Sequence, residues 1–291
     1  MLDCQPMPIP HAGSPLAASP LLFYDSAARA TPFIEEGLAL ARYRDLVPQL
    51  IARSVKTRYK RSFLGVAWTM VNPLLTMLVL TFVFSQLFRY PSAQYALYVL
   101  TGLLAWNFFA QTTTAAMGDL IWSGGLIGRI SLPKSVFAVA AVGTGLVNLL
   151  LALVPFAVIA VLAGGQVFSP ALLLLPLPIL LLAMFALGIG LTVSSLAIYF
   201  ADVMPTYEVL LTVWFYLTPI IYPVDLLPPA VAAVLRLNPM YYLVTMFRSI
   251  LVEGRLPPPE VLLVAGVSSL VMLLFGWWTF TRKAREYAYH V

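Results

Sequence analysis

Long runs of hydrophobic residues dominate the chain, and polar residues collect in the short segments between the runs. A helix that crosses a bilayer needs ~20 mostly apolar residues. Six runs meet or approach that length, namely residues 63–88, 95–117, 135–163, 170–199, 207–222 and 260–281. The pattern predicts an all-α integral membrane protein with six transmembrane helices, the third and fourth of which form a hairpin.

The segment before the first run has a different pattern, because its apolar residues recur at helical spacing. Val47, Ile51 and Val55 follow one another every four residues, while Arg53 lies on the other side. This period indicates an amphipathic interface helix, predicted over 41–62. We expect its apolar face to lie in the headgroup boundary and its basic face to meet anionic lipid or a cytosolic protein.

Residues 1–40 are rich in proline and alanine and lack a basic segment followed by an apolar one, so they do not resemble a secretory signal. We predict a mobile cytoplasmic extension over this range. A docking arm for a partner is the alternative.

A segment between the fifth and sixth runs is too apolar for a free loop, yet prolines divide it. Its two pieces, 226–237 and 240–252, are shorter than a spanning helix. Irregular backbone at membrane depth persists only where it is buried in protein or lines a cavity. We predict two re-entrant helices that enter from the outer face; two helices lying flat at the interface are the alternative.

Composition supports a membrane protein. Of the 291 residues, 61% are hydrophobic and 10% are charged, whereas a soluble domain typically carries about 25% charged residues. A soluble fold could not cover this much apolar surface. The single cysteine, Cys4, excludes an internal disulfide and a zinc or iron–sulfur site built on several cysteines.

The distribution of Lys and Arg predicts the orientation of the chain, because cytoplasmic loops carry an excess of these residues. If residues 1–62 are cytoplasmic, thirteen of the 17 basic residues fall inside, and Arg89, Arg236, Arg248 and Arg255 fall outside. Both termini are therefore predicted to be cytoplasmic.

The first predicted span begins with the stretch RYKRSFLGVAWTMVNPLL at 58–75, which contains Asn72 followed by Pro73. Proline removes a backbone hydrogen bond and bends a helix. The amide of Asn72 needs a hydrogen-bond partner in hydrocarbon. This combination favours contact with protein or a watery path over contact with lipid, so Asn72 is a candidate path residue.

Aromatic residues are further candidates for such a path, because sugar rings stack on aromatic faces. On the first and fifth predicted spans these are Trp68, Phe82, Phe88, Tyr207, Trp214, Phe215 and Tyr222. Trp and Tyr also form belts at both membrane interfaces, so both interpretations stay open.

Few residues fit catalytic chemistry. Both histidines, His11 and His290, lie near the chain ends, and the acids in or near the membrane are Asp119, Asp202 and Glu208. Asp202 and Glu208 could converge, and paired carboxylates bind Mg²⁺, so a membrane-bound glycosyl- or phosphotransferase is one alternative. The leading interpretation includes no catalytic residue and no metal site.

The segment GGLIGRIS at 124–131 has neither the spacing of a phosphate-binding P-loop nor a strand before it. We expect no cofactor in this chain, and ATP with Mg²⁺ on a separate subunit if transport runs against a gradient. Candidate contacts with that subunit are the amphipathic helix and the connection 119–134. The coupling candidates in them are Arg53, Lys56, Trp122, Leu126, Ile127 and Arg129.

Four stretches resemble the membrane subunit of ABC-2-type exporters of polysaccharide, the O-antigen, teichoic-acid and capsule permeases. They are 58–75, LIGRISLPKSVFAVAAV at 126–142, FADVMPTYEVLLTVWFYLTPIIYP at 200–223 and LNPMYYLVTMFRSIL at 237–251. The likeness runs from about residue 40 to the end of the sequence, and it is closer to O-antigen and teichoic-acid permeases than to capsule permeases.

The resemblance implies an ABC-2-type transmembrane domain at 63–281 and a cytoplasmic tail at 282–291. It implies a homodimer in the bacterial inner membrane, bound to two copies of a cytosolic ABC ATPase, with a path lined largely by the first and fifth spans. Asp202 resembles part of a second ATPase contact. Membrane lipid is a further partner, and nucleic acid is not one.

The substrate implied by the resemblance is a lipid-linked polysaccharide, moved from the cytoplasm to the outer face of the inner membrane. Arg58, Lys60 and Arg61 are candidate attraction points for the carrier's diphosphate, although topology alone would also explain them. The main alternative is an exporter of the same architecture that carries a drug or a lipid. An aromatic-lined path would suit a sugar chain, whereas a closed apolar pocket would suit a drug.

Overall fold

The computed structural model describes residues 32–60, 68–89, 91–122, 132–164 and 169–283. Within these ranges the chain forms ten α-helices, two short 3-10 helices and no strand, which confirms the predicted all-α class. The helices are α1 (Pro32–Arg42), α2 (Leu46–Tyr59), α3 (Trp68–Phe88), α4 (Ser92–Trp122), α5 (Ser135–Leu162), α6 (Pro176–Ala197), α7 (Val203–Tyr216), α8 (Pro229–Leu235), α9 (Pro239–Leu251) and α10 (Pro259–Lys283).

The long helix α4 is the centre of the subunit and packs against α3, α5, α6 and α9. Phe109 and Met117 on this helix are fully buried. This helix carries polar residues that are rare on a lipid-facing helix: Thr112 is buried, Asn107 is half-buried and Gln111 is exposed. The neighbours of α4 therefore cover most, but not all, of its polar side chains.

Four elements of the described chain are long and apolar enough to cross a membrane. They are Val71–Phe88, Ser135–Leu162, Pro170–Ala197, which joins a 3-10 turn to α6, and Pro259–Lys283. The pair α8–α9, bent by 94°, makes a fifth if it is counted as one span. By length and composition, four or five of these elements are candidate membrane spans. The central α4 lacks the required composition, and α7 has only 14 residues.

The helix α7 ends six residues earlier than the predicted span 207–222. Residues 217–222 are irregular instead, and Pro219 and Pro223 lie in and just after this stretch. A proline lacks the backbone N–H and its ring clashes with the carbonyl four residues earlier, so it cannot continue the helix without a kink. We call residues 217–222 the outer turn.

Two glycines bring α6 and α10 into direct backbone contact. A Cβ atom on Gly188 would overlap the carbonyl of Met272, and one on Gly276 would overlap the carbonyl of Gly188. Close approach of this kind depends on small residues. The contact holds the last long helix against the preceding hairpin.

The helix α1 was not foreseen from the sequence, and of the extension predicted over 1–40 the structure describes only residues from 32 onward. The indole Nε1 of Trp277 on α10 donates to the carbonyl of Phe33 at 3.2 Å. A carboxylate oxygen of Glu36 accepts from the backbone N–H of Ser135, the first residue of α5, at 3.0 Å. α1 therefore joins the start of α5 to the last turns of α10.

The helix α2 is amphipathic as predicted, but its apolar side is covered by protein. Leu46, Val47 and Leu50 pack against a core cluster to which α4, α5 and α10 contribute. The methyl end of Ile51 lies against Gly143 of α5. The sequence predicted that this face would lie in the headgroup boundary; the neighbouring helices bury it because they offer a complementary apolar surface.

Candidate functional site

One face of α3 is open along its whole length. Trp68, Asn72, Leu75, Val79 and Phe82 recur at intervals of three or four residues, so they lie on the same face. Trp68 is 54% exposed and Phe82 is 81% exposed. Three predicted path residues are therefore on a surface that no other part of the described subunit covers.

The helix α7 has an inner face, which is turned toward the interior of the subunit, and an outer face, which is turned away from it. Tyr207 is buried on the inner face, and its hydroxyl donates to the Oγ1 atom of Thr113 on α4 at 2.7 Å. On the outer face, Val209, Val213 and Tyr216 are exposed. The open side of α7 thus carries other residues than Tyr207, which the sequence nominated for the path.

Trp214 and Phe215, also predicted path residues, belong to an aromatic cluster inside the subunit. The ring of Trp214 lies 5.1 Å from that of Phe109, and Phe215 lies 5.5 Å from Trp106. Both side chains are partly buried. They fix the position of α7 against α4.

Asn238, which the sequence analysis did not single out, ties the bend between α8 and α9 to α7. Its Oδ1 atom accepts from the indole Nε1 of Trp214 at 2.8 Å and from the backbone N–H of Met240 at 3.0 Å. Its Nδ2 atom donates to Thr218 Oγ1 at 2.9 Å. An Asn followed by Pro at a helix start is an N-cap signature, so this role was detectable.

Three side chains satisfy carbonyls of the outer turn. Tyr95 donates to the carbonyl of Ile221 at 2.7 Å, and Tyr98 donates to that of Tyr222 at 2.9 Å. Arg248 of α9 donates to the carbonyl of Ile220 at 3.2 Å. Buried backbone carbonyls outside regular helices need such partners, so these residues make the outer turn possible.

Arg248 corrects one element of the charge count. The sequence analysis treated it as an outer-side charge, but it is 7% exposed and its guanidinium lies 3.5 Å from the ring centroid of Tyr98. It is a structural cation held by carbonyls and an aromatic face.

Two further path candidates, Phe88 and Tyr222, are partly buried. The ring of Phe88 stacks on that of Phe84, and the hydroxyl of Tyr222 donates to the carbonyl of Tyr216.

A cavity of about 440 Å³ opens between α2, α4 and α5. We call it the interfacial cavity. Arg53 and Arg58 of α2 and Asp119 of α4 line it. A narrow gap continues past Gln111 and Asn148 to Pro73 of α3.

The other predicted cytoplasmic residues lie at exposed helix ends. Lys56 and Lys60 are exposed on and just after α2, Trp122 is 85% exposed at the end of α4, and Asp202 is exposed at the start of α7. The predictions for Arg61, Leu126, Ile127 and Arg129 fall outside the described residues.

The two acids considered for a transferase do not form a pair. Asp202 and Glu208 are six positions apart at the start of α7, and both are exposed. Side chains at that spacing point in different directions on a helix. In the part of the chain that the structure describes, no group of three His, Cys, Asp or Glu residues could hold a metal ion.

Comparison with known proteins gives a consistent result. The sequence profile of the ABC-2 type transporter family matches residues 46–252. An O-antigen export system permease from Myxococcus xanthus is 31% identical over 251 residues, which are 86% of this chain and 96% of the relative. A second O-antigen export permease, from Klebsiella pneumoniae, is 27% identical and covers 73% of this chain and 82% of its own length.

A third relative has a different polysaccharide in its name. The capsule polysaccharide export inner-membrane protein of Neisseria meningitidis serogroup B is 27% identical, over 82% of this chain and 91% of the relative. The similarity therefore extends over 82% or more of the length of each of these relatives and is not confined to one motif.

Proposed function

The chain belongs to the ABC-2 type transporter family, and on this basis we propose that it is the permease subunit of an ATP-driven exporter of a lipid-linked polysaccharide. The observation that carries the proposal is the match to an O-antigen export permease over 96% of that protein's length. The cargo would move from the cytoplasm to the outer face of the bacterial inner membrane.

The chain is a transport subunit and not an enzyme, since its homologues are permeases and the ATPase of this family is a separate subunit. ATP and Mg²⁺ would therefore bind to that partner, and this chain would carry no cofactor. We propose a complex of two permeases with two cytosolic ABC ATPases.

We propose six spans, with α4 and α7 as the second and fifth. α4 has 31 residues and is shielded from lipid, so it does not need the apolarity of the other spans. α7 covers about 21 Å at 1.5 Å per residue, and the outer turn would continue it toward the outer face. α8 and α9 would then be re-entrant, and both termini would be cytoplasmic.

The transport path would form where two copies of the permease meet. The open face of α3, with Trp68, Asn72 and Phe82, and the outer face of α7 offer the surface for it. Phe88, Tyr207, Trp214, Phe215 and Tyr222, which are held inside the subunit, would position the walls of this path rather than line it throughout.

The cytoplasmic contacts are proposed at the exposed residues Arg53, Lys56, Trp122 and Asp202, with Leu126, Ile127 and Arg129 in the adjoining connection. Reversing the charge of Lys56 and Lys60 is expected to weaken ATPase binding in a pull-down without affecting membrane insertion. Arg58, Lys60 and Arg61 would attract the diphosphate of the lipid carrier.

The decisive experiment deletes this permease in its host and purifies the complementing protein with its ATPase. We expect lipid-linked glycan to accumulate inside the deleted cell, and ATP hydrolysis by the purified complex to rise when that glycan is added. Unchanged surface glycan in the deletion strain would contradict the proposal and favour a drug or lipid as the cargo.

A further inference from the structure

The interfacial cavity has the size of a small-molecule site and is built from three helices. Its volume of about 440 Å³ lies within the range typical of ligand pockets, about 300–1,000 Å³. α2 forms one wall, and α4 and α5 form the others. The proposed export path runs along α3 and α7, and neither of these helices lines the cavity.

One face of α2 is turned into the cavity. The lining residues Leu50, Arg53, Ser54, Thr57 and Arg58 follow the spacing i, i+3, i+4, i+7, i+8, which is a single helical face. Four of the five are polar. The apolar residues on the other faces of α2 pack against α4, α5 and α10, as described above, so packing holds the polar face in this orientation.

Neither arginine of this face forms a salt bridge with a described residue. Asp119, which lines the same cavity, is near enough to interact electrostatically with Arg58. Arginine binds phosphate through paired hydrogen bonds in a planar fork. Two such forks at one cavity favour a phosphate-bearing ligand over a neutral one.

The inner end of the cavity offers further hydrogen-bonding groups. Gln111 and Thr144 line it, and Thr112 lies in the same wall with a buried hydroxyl that has no hydrogen-bond partner among the described residues. Such groups suit the glycerol or ester oxygens that follow a lipid phosphate.

The mouth of the cavity has the composition of a headgroup region. Trp122, a lining residue, is 85% exposed, and tryptophan is enriched where a membrane meets water. Cationic side chains at this level attract anionic lipid. The occupant therefore reaches the cavity from the membrane surface.

We propose that the interfacial cavity binds the phosphate-bearing headgroup of an anionic membrane lipid, with Arg53 and Arg58 holding the phosphate. Arg53 would then serve lipid binding in place of the ATPase contact proposed above. Asp119, in the same cavity, opposes this binding by charge repulsion. Because the lipid contacts α2 and α4 together, its binding stabilises the position of the interface helix. The proposal does not depend on which cargo the exporter carries.

Lipid binding to the full-length chain, measured by native mass spectrometry in detergent, tests the proposal. Phosphatidylglycerol is titrated against phosphatidylcholine as the zwitterionic reference. We expect the R53Q/R58Q variant to lose phosphatidylglycerol affinity by about tenfold or more, because both charge-assisted donors to the phosphate are removed. The matched control R42Q/R44Q removes two exposed charges outside the cavity and should change affinity less than twofold.

The D119N variant provides a second test, in which the expected result is tighter binding and therefore cannot be caused by misfolding. Removing the carboxylate leaves the two arginines unopposed, so phosphatidylglycerol should bind more tightly than to the wild type. Equal effects of the cavity and control variants, or no preference for the anionic lipid in the wild type, would overturn the proposal. So would an R53Q/R58Q variant that binds lipid normally but loses its ATPase, which would assign the arginines to docking.

Titration with undecaprenyl diphosphate distinguishes two sources of the same headgroup chemistry. Stronger retention of this lipid than of phosphatidylglycerol, again lost in R53Q/R58Q, would identify the carrier as the occupant. The reverse order would identify a bulk phospholipid, and it would leave the proposed polysaccharide export unaffected.

Discussion

Single side chains in this protein stabilise backbone that is neither helical nor exposed. Arg248, Tyr95 and Tyr98 bind carbonyls of the outer turn, and Asn238 holds the neighbouring bend. The sequence did not reveal these roles of Arg248 and the tyrosines, because a basic residue near a predicted membrane surface is first interpreted as a sign of orientation. Their partners become apparent only when α4 and α9 lie side by side.

Replacing Arg248 by Met is expected to lower the stability of the folded subunit by about 1–3 kcal/mol, the cost of leaving buried polar groups unpaired. Arg248→Lys should lower the stability by a smaller amount, because lysine keeps the positive charge but lacks the planar fork of arginine. Thermal unfolding of the purified protein, followed by size-exclusion chromatography after heating, measures both. Arg255→Lys, at an exposed position, is the control and should leave the melting temperature unchanged.

At the scale of helices, the sequence located the apolar elements well because lipid-facing helices must be apolar throughout. The third and last spans were predicted to within two residues at either end. α1 was missed because its helical pattern lies next to proline-rich sequence. The end of α7 was predicted six residues too late because apolar residues continue beyond Tyr216, where the helix ends. The contact between Gly188 and Gly276 joins two helices, so no local pattern in the sequence indicates it.

Gly276→Ala should separate α6 from α10, because the added methyl group would overlap the carbonyl of Gly188. Overpacking of this kind costs about 1–3 kcal/mol. Gly266→Ala is a matched control on the same helix, since a Cβ atom there meets nothing within 4 Å. We expect a lower melting temperature for the first variant only; equal behaviour of the two would mean that the helices yield at this contact.

The membrane arrangement of the bent pair α8–α9 can be tested by finding on which side of the membrane Asp225 lies. If α7 spans the membrane and the pair is re-entrant, a cysteine at position 225 faces the outside; if the pair is one broken span, it faces the cytoplasm. We expect a membrane-impermeant maleimide to label Asp225→Cys in intact spheroplasts, in a Cys4→Ala background. Glu253→Cys should be labelled in either case, and labelling of position 225 only after lysis would contradict the six-span arrangement.

At the scale of the whole subunit, the uncovered apolar faces of α3 and α7 show where further protein or lipid must lie. The sequence predicted which helices carry these faces through their aromatic residues. It could not separate exposed Phe82 from buried Tyr207, because both lie in apolar runs and only the packing of α4 distinguishes them. The sequence therefore nominates helices for the candidate path more readily than single residues.

A homodimer built on α3 predicts that a cysteine at Phe82 forms a disulfide between two copies. In a Cys4→Ala background, mild oxidation of membranes should convert Phe82→Cys to a dimer on a non-reducing gel. Leu263→Cys, on the exposed side of α10, should stay monomeric. Equal cross-linking at both positions would indicate random collision, and none at Phe82 would move the subunit interface elsewhere.

The contact between α1 and α10 has a consequence for how the protein is made. Trp277 follows Phe33 by 244 positions in the chain, so the ribosome must synthesise the chain at least as far as Trp277 before α1 can dock on α10. The same late event gives Gly188 its backbone neighbour. Biogenesis therefore includes a late closing step that joins α1 to α10, and a polypeptide truncated before α10 would expose the surfaces of α1 and α6 that this helix covers.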